Sequence, residues 1–227
     1  MSRPRLRAVC TAAAALAAAT LLTAQAPPPL EIVTVAGRWV DGVEDGRAVV
    51  RSDPGGWDGA TGPDLDAVAR LLFKEPRPVF AKNSAPATAF PLAVVRSVEG
   101  FSGGALQVRF KLIAGPSDQT AGLAFAIGPT ADYFYVRYNT KDGNVAVWEF
   151  VDGARRVLAH GTEHAQLPLN VWHRLSVRVD GRRVQGAVAG TSLAVAHELP
   201  REVSGRVGFW TKRDAVSAFT DLRVDPR

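Results

Sequence analysis

Residues 132–150, DYFYVRYNTKDGNVAVWEF, carry Arg137, Asn139 and Trp148 on two alternating runs joined by an Asp-Gly turn. Those three side chains suit a sugar. A pyranose presents an apolar C–H side that covers an aromatic ring, which Trp148 supplies. Its hydroxyl belt needs directional partners: a guanidinium offers five fixed donors, and a carboxamide both donates and accepts. In GRVGFWTK, Val207 and Phe209 take one side of a strand, leaving Trp210 and Lys212 on the other, and Gln119 lies at the mouth of a neighbouring strand. If these strands share a sheet, the six residues form one polar-aromatic row and the candidate ligand site. A second reading of the same residues stays open. Outward strand positions are ordinarily polar, and arginine over tryptophan is common packing worth about 0.5–1 kcal/mol when exposed.

Reactive chemistry is thinly represented. The chain has neither a Gly-x-Ser-x-Gly elbow nor a glycine-rich phosphate loop. His160 and His164, with Glu163 between them, have metal-ligand spacing only on a helix, and Gly161 and Thr162 argue for a loop. His173 alternates with Leu175, Val177 and Val179, the pattern of a partly buried, hydrogen-bonded histidine. No catalytic residue, metal ligand or cofactor is expected from these patterns.

The elements that must position the row are strands. GALQVRFKLI sets Leu106, Val108, Phe110 and Leu112 on one face and Gln107, Arg109 and Lys111 on the other, and eight similar runs follow to the end of the chain. Asp142-Gly143, Asp152-Gly153 and Asp180-Gly181 are strong hairpin turns. A two-residue turn at Asp142-Gly143 pairs Arg137 with Trp148 and Tyr135 with Phe150; a four-residue turn shifts the partners by two and keeps the faces. Phe134, Val136, Tyr138, Val145, Val147 and Val151 then form an apolar face, spoiled by Glu149, which belongs near a sheet margin. Trp39, Trp57 and Trp172 read as core or margin residues. The one helix signal is DLDAVARLLFK, capped by Asp64 and apolar at 65, 68, 69 and 72; residues 75–91 read as a proline-rich linker. The fold class is all-β, an antiparallel two-sheet jelly-roll sandwich with one short helix.

Three arginines precede an apolar stretch from Ala8 to Ala24 ending in Ala24-Gln25-Ala26, the layout of a signal peptide over 1–26. The remainder, 27–227, reads as a single jelly-roll domain that is secreted or periplasmic, with no membrane span after cleavage. The leader holds three of the 27 basic side chains and none of the 22 acidic ones, so its removal lowers the net charge from +5 to +2. With no basic block to track phosphates, nucleic acid is not an expected partner. The single cysteine, Cys10, falls inside the leader, leaving a mature chain without disulfides or thiolate sites.

Residues 90–227 resemble the concanavalin A-like lectin/glucanase superfamily, in its laminin-G-like jelly-roll form neighbouring the 3-keto-disaccharide hydrolase domains. The resemblance rests on Asp118-Gln119 before Ala121-Gly122, on Tyr135-Val136-Arg137-x-Asn139, on Trp172 before its strand, and on Trp210-Thr211-Lys212. It implies a concave sheet facing polysaccharide or glycoconjugate. Some members of the superfamily cleave glycans and others bind them, and fold alone does not choose. Laminarinase-like members carry a Glu-x-Asp-x-(x)-Glu strand, which is missing here; Glu149 and Asp152 would not share a strand face. A glycoside hydrolase-like enzyme and a non-catalytic envelope interaction domain are the alternatives to sugar binding. The superfamily also admits a structural calcium, but Asp118, Asp132 and Asp142 are too scattered to define a cage.

Overall fold

The computed structural model describes residues 30–55, 62–84 and 89–227. The leader over 1–26 and Trp57 lie outside the described residues. Two antiparallel seven-stranded sheets form a sandwich. The front sheet runs β1 (Ile32–Ala36), β4 (Leu92–Val95), β13 (Arg206–Trp210), β6 (Thr120–Ile127), β7 (Tyr133–Asn139), β8 (Asn144–Val151), β9 (Ala154–His160). The back sheet runs β12 (Ala194–Glu198), β11 (Arg183–Val188), β10 (Trp172–Asp180), β5 (Gly104–Ala114), β14 (Val216–Pro226), β3 (Arg47–Ser52), β2 (Trp39–Glu44). Among the described residues, no helix is long and apolar enough to cross a membrane.

Alternation decides which side chains meet between the sheets. Leu106, Val108, Phe110 and Leu112 of β5 face Phe134, Val136 and Tyr138 of β7 and Val145 and Val147 of β8, all essentially without solvent exposure. A side chain of this kind stabilises the fold by roughly 1.5–3 kcal/mol. Gly186 on β11 lets the sheets close: a Cβ there would lie 2.5 Å from Val136 Cγ1. His173 faces inward at the core's end, its ring tilted 5.5 Å from Phe110 and its Nε2 3.4 Å from the Pro168 carbonyl. Trp39 is buried against Phe219, whereas Trp172 sits at a margin with its indole N–H donating to Asp45.

The front sheet is covered on its outer side as well. Helix α1 (Leu65–Phe73) begins where Asp64 accepts from the backbone N–H groups of Asp66 and Ala67, and it buries Val68, Ala69 and Leu72 as the spacing predicts. A second helix, α2 (Pro78–Ser84), falls inside the segment read as linker, correcting the expectation of one short helix. Proline at the first helical position lacks only an N–H that would be unpaired there, and the helix is held by Phe80, fully buried and edge-on to Phe73. Together the helices seal Val33, Val35, Leu92 and Val94 beneath them in a second apolar cluster that continues to Trp210.

The β7–β8 hairpin has a four-residue turn, so Asn139 pairs with Asn144, Arg137 with Ala146, Tyr135 with Trp148 and Tyr133 with Phe150. The two-residue register is thereby corrected, and the faces stand. Tyr138 explains part of the preference for the wider turn. Its inward hydroxyl donates to the Ala165 carbonyl and accepts from the Leu167 N–H, anchoring the loop after β9, while the Gly143 carbonyl accepts from Ala165. The tighter Asp152-Gly153 hairpin has both residues at positive φ (51° and 75°), as a two-residue turn requires. Glu149 is fully buried on the apolar side, one strand in from the β9 edge, and both of its oxygens accept from arginines, Arg156 and Arg201.

Candidate functional site

On the outer face of the front sheet, away from the helices, β7, β8 and β9 present a polar-aromatic field. Trp148 is its centre: half-buried, stacked on Tyr135 at 6.2 Å and 11°, with His160 edge-on at 6.1 Å. The Arg155 guanidinium lies 4.3 Å from the Trp148 ring and 4.6 Å from Phe90; that of Arg137 lies 6.0 Å from Trp148. The Trp148 indole N–H is buried and has no hydrogen-bond partner among the described residues. The Trp210 N–H and the Tyr133 and Tyr135 hydroxyls beneath it are likewise buried without a partner among the described residues.

Arg137 and Asn139 reach the same face as Trp148, but as interior groups. Arg137 is 5% exposed; it donates to the Asn144 side-chain oxygen at 2.8 Å, to the Asn144 carbonyl at 3.1 Å and to Asp142 at 2.7 Å. Burial pulls the pKa of this guanidinium down, and the Asp142 carboxylate opposes that pull. Asn139, 2% exposed, donates to Asp118 at 3.2 Å and accepts from the Lys141 N–H at 2.9 Å. Lys212 donates to the same Asp118 oxygen at 2.9 Å, with Arg213 3.6 Å from the other oxygen. Gln119 is turned back to the Gly115 carbonyl at 3.2 Å. Trp210 shares the face yet is 1% exposed, packed between Tyr135 at 4.1 Å and Phe90 at 6.0 Å.

The structure therefore divides the six expected residues. Trp148 is partly open, with Lys212 at the rim of a closed ion-pair network. Arg137 and Asn139 hold the turn and the strand mouth in place, Gln119 is turned back to the backbone, and Trp210 is floor. Arg155 carries no sequence signal, and His160, read as a loop residue with metal-like spacing, is instead the last residue of β9. Arg155 and Val157 share Trp148's face by ordinary alternation from the Asp152-Gly153 turn, and a β-bulge in β9 opposite Val147 and Trp148 brings His160 to it as well. Burial pushes the Tyr135 phenol's pKa up, with the nearby Arg155 charge opposing only part of that rise, so Tyr135 stays neutral.

No protein-family model matches the sequence, and no curated protein matches it significantly. Solved structures do. The carbohydrate binding module CBM66 from Bacillus subtilis aligns with a TM-score of 0.59 at 16% identity, covering 84% of this chain and 92% of that one. A Bacillus subtilis protein of unknown function with a galectin-like fold aligns with a TM-score of 0.45 at 14% identity, over 59% and 76%. Sheep galectin-11, in complex with glycerol, aligns with a TM-score of 0.38 at 19% identity, over 59% and 94%. Identities this low establish likeness of fold alone. The chain is an antiparallel jelly-roll sandwich similar in fold to a carbohydrate-binding module.

Proposed function

We propose that this protein binds carbohydrate, as polysaccharide or glycoconjugate, on the outer face of its front sheet and leaves it chemically unaltered. The observation that carries this reading is Trp148, half-buried, flanked by the guanidiniums of Arg155 and Arg137, with an indole N–H that nothing in the described chain accepts. A sugar ring lying on the indole would replace or complement Arg155, with the Arg155 guanidinium donating to its hydroxyls. The fold it shares with a carbohydrate-binding module supports the reading. The network of buried Arg137, Asn139 and Asp118 with half-exposed Asp142 serves it by fixing the hairpin, so that the aromatic surface is rigid before ligand arrives, which limits the ordering cost of binding. Secretion or periplasmic export through the 1–26 leader, a single domain over 27–227 and membership of the laminin-G-like branch belong to the same proposal.

The test is a panel of plant, bacterial and matrix glycans followed by calorimetry on the best binder. Trp148→Ala is expected to abolish binding and Arg155→Ala to weaken it about tenfold or more, the loss of roughly one charge-assisted contact. Wild-type protein that ignores every glycan, or binding indifferent to Trp148→Ala, would refute the proposal.

A further inference from the structure

Three guanidiniums converge on the opposite side of the molecule, on the outer face of the back sheet. Arg109 of β5 stands directly across from Arg174 of β10. Arg223 of β14 stands across from Gln107, two residues further along β5. Like charges facing one another across an antiparallel pair destabilise it. Local compensation is partial. Asp221 sits in a bulge of β14 at φ 52°, a distortion that re-aims side chains, and its carboxylate lies 3.9 Å from Arg109 and 3.6 Å from Arg47, too far for hydrogen bonds. Arg174 and Arg223 are exposed and make no ion pair among the described residues.

Arg109, Arg174, Asp221 and Arg223, with Gln107 and Val108, line a cavity of about 150 Å³. Whole-ligand sites run to roughly 300–1,000 Å³, so this one suits a single small group. Three lining arginines against one carboxylate, itself shared with Arg47, leave a positive excess that a divalent anion would go far to neutralise. Arginine forks match tetrahedral oxyanions, and the Gln107 amide adds a neutral donor. We propose that this cavity binds a divalent tetrahedral oxyanion, sulfate or phosphate. The anion would sit between Arg109 and Arg174, with Arg223 closing the third side.

Calorimetric titration with inorganic sulfate and, separately, inorganic phosphate at pH 7.5 tests this, with sodium chloride holding ionic strength constant and acetate as the monovalent control. Saturable binding of at least one divalent ion is expected, and the two arms say which is preferred. Arg174→Ala and Arg223→Ala should each weaken it about tenfold or more, and Asp221→Asn should tighten it. Arg174→Gln, which keeps most of the stem and should spare the fold, should weaken it as Arg174→Ala does. Trp148→Ala should leave it unchanged, so the result is independent of sugar binding. Absence of saturation, an equal response to acetate, or full binding by the Arg174→Ala/Arg223→Ala double variant would overturn the assignment.

Discussion

Glu149 offers the sharpest energetic test of how the sandwich is held. Its side chain is 0% exposed, yet its partners are not: Arg156 is 64% and Arg201 38% exposed. The two sides of this cluster therefore differ in what removal leaves behind. In Arg156→Ala/Arg201→Ala the carboxylate stays buried without either guanidinium, and stranding a buried charge costs about 3–5 kcal/mol. That variant also loses the stacking of Arg201 on Phe134, 4.2 Å apart, worth roughly another 0.5–1 kcal/mol. In Glu149→Gln the arginines swing into water and the buried amide keeps one acceptor, so the loss should be about 1–2 kcal/mol, one charge-assisted bond after offset by lighter desolvation. Glu149→Met, similar in volume, should fall closer to wild type than the double variant does. Denaturant melts read these differences as shifts in midpoint at constant slope. If the double arginine variant is no less stable than Glu149→Gln, the account of a buried charge held by solvent-borne partners is wrong.

Gly186→Ala should destabilise by about 1–3 kcal/mol through overpacking against Val136, and Val136→Ala in the same chain should recover part of that loss, a negative coupling visible in a double-mutant cycle of melts. Asp64→Ala should cost about 1 kcal/mol by removing the cap of α1, read as a lower denaturation midpoint. Asp214 is partly buried, which raises its pKa, but the backbone N–H groups of Ser117 and Asp118 that donate to it win and hold it below the usual 3.8. A depressed carboxyl stabilises the fold above its unfolded pKa and loses that contribution as the pH falls through the folded value. Asp214→Asn should thus be less stable than wild type at pH 7 by at most about 1 kcal/mol, given partial exposure, with the gap closing below pH 3.8 in pH-resolved melts.

What could be read from the sequence was what depends on parity and neighbours. The faces of the β7–β8 hairpin survive a register shift of two because side chains alternate, so Tyr135, Arg137 and Trp148 were placed together even though their partners were not. Asp64 and its apolar spacing gave α1 for the same local reason. Helix α2 was hidden because its stability comes from Phe80 docking on a distant sheet, while its prolines argue locally against any element. Burial of Arg137 and Asn139 was equally illegible: alternation says which side a residue faces and says nothing of what covers that side. Here the cover is Asp118, Asp142 and Asn144, brought in from beyond the strand. Arg155 follows the alternation, standing across from Phe150, but no motif marks it; His160 reaches this face only because a single residue inserted in β9, opposite Val147 and Trp148, cancels the rule used everywhere else.

That inserted residue also bears on how copies of the molecule meet. Strand β9 ends the front sheet, and its free backbone groups would offer a template to another chain. The bulge kinks this border, and Arg155 and Arg156 stand next to each other along it. Two such borders approaching one another would bring their Arg155 guanidiniums together over mismatched hydrogen-bonding groups, an arrangement that disfavours stacking into extended ribbons. The irregularity that turns His160 toward Trp148's face therefore also makes this border a poor template for a second strand.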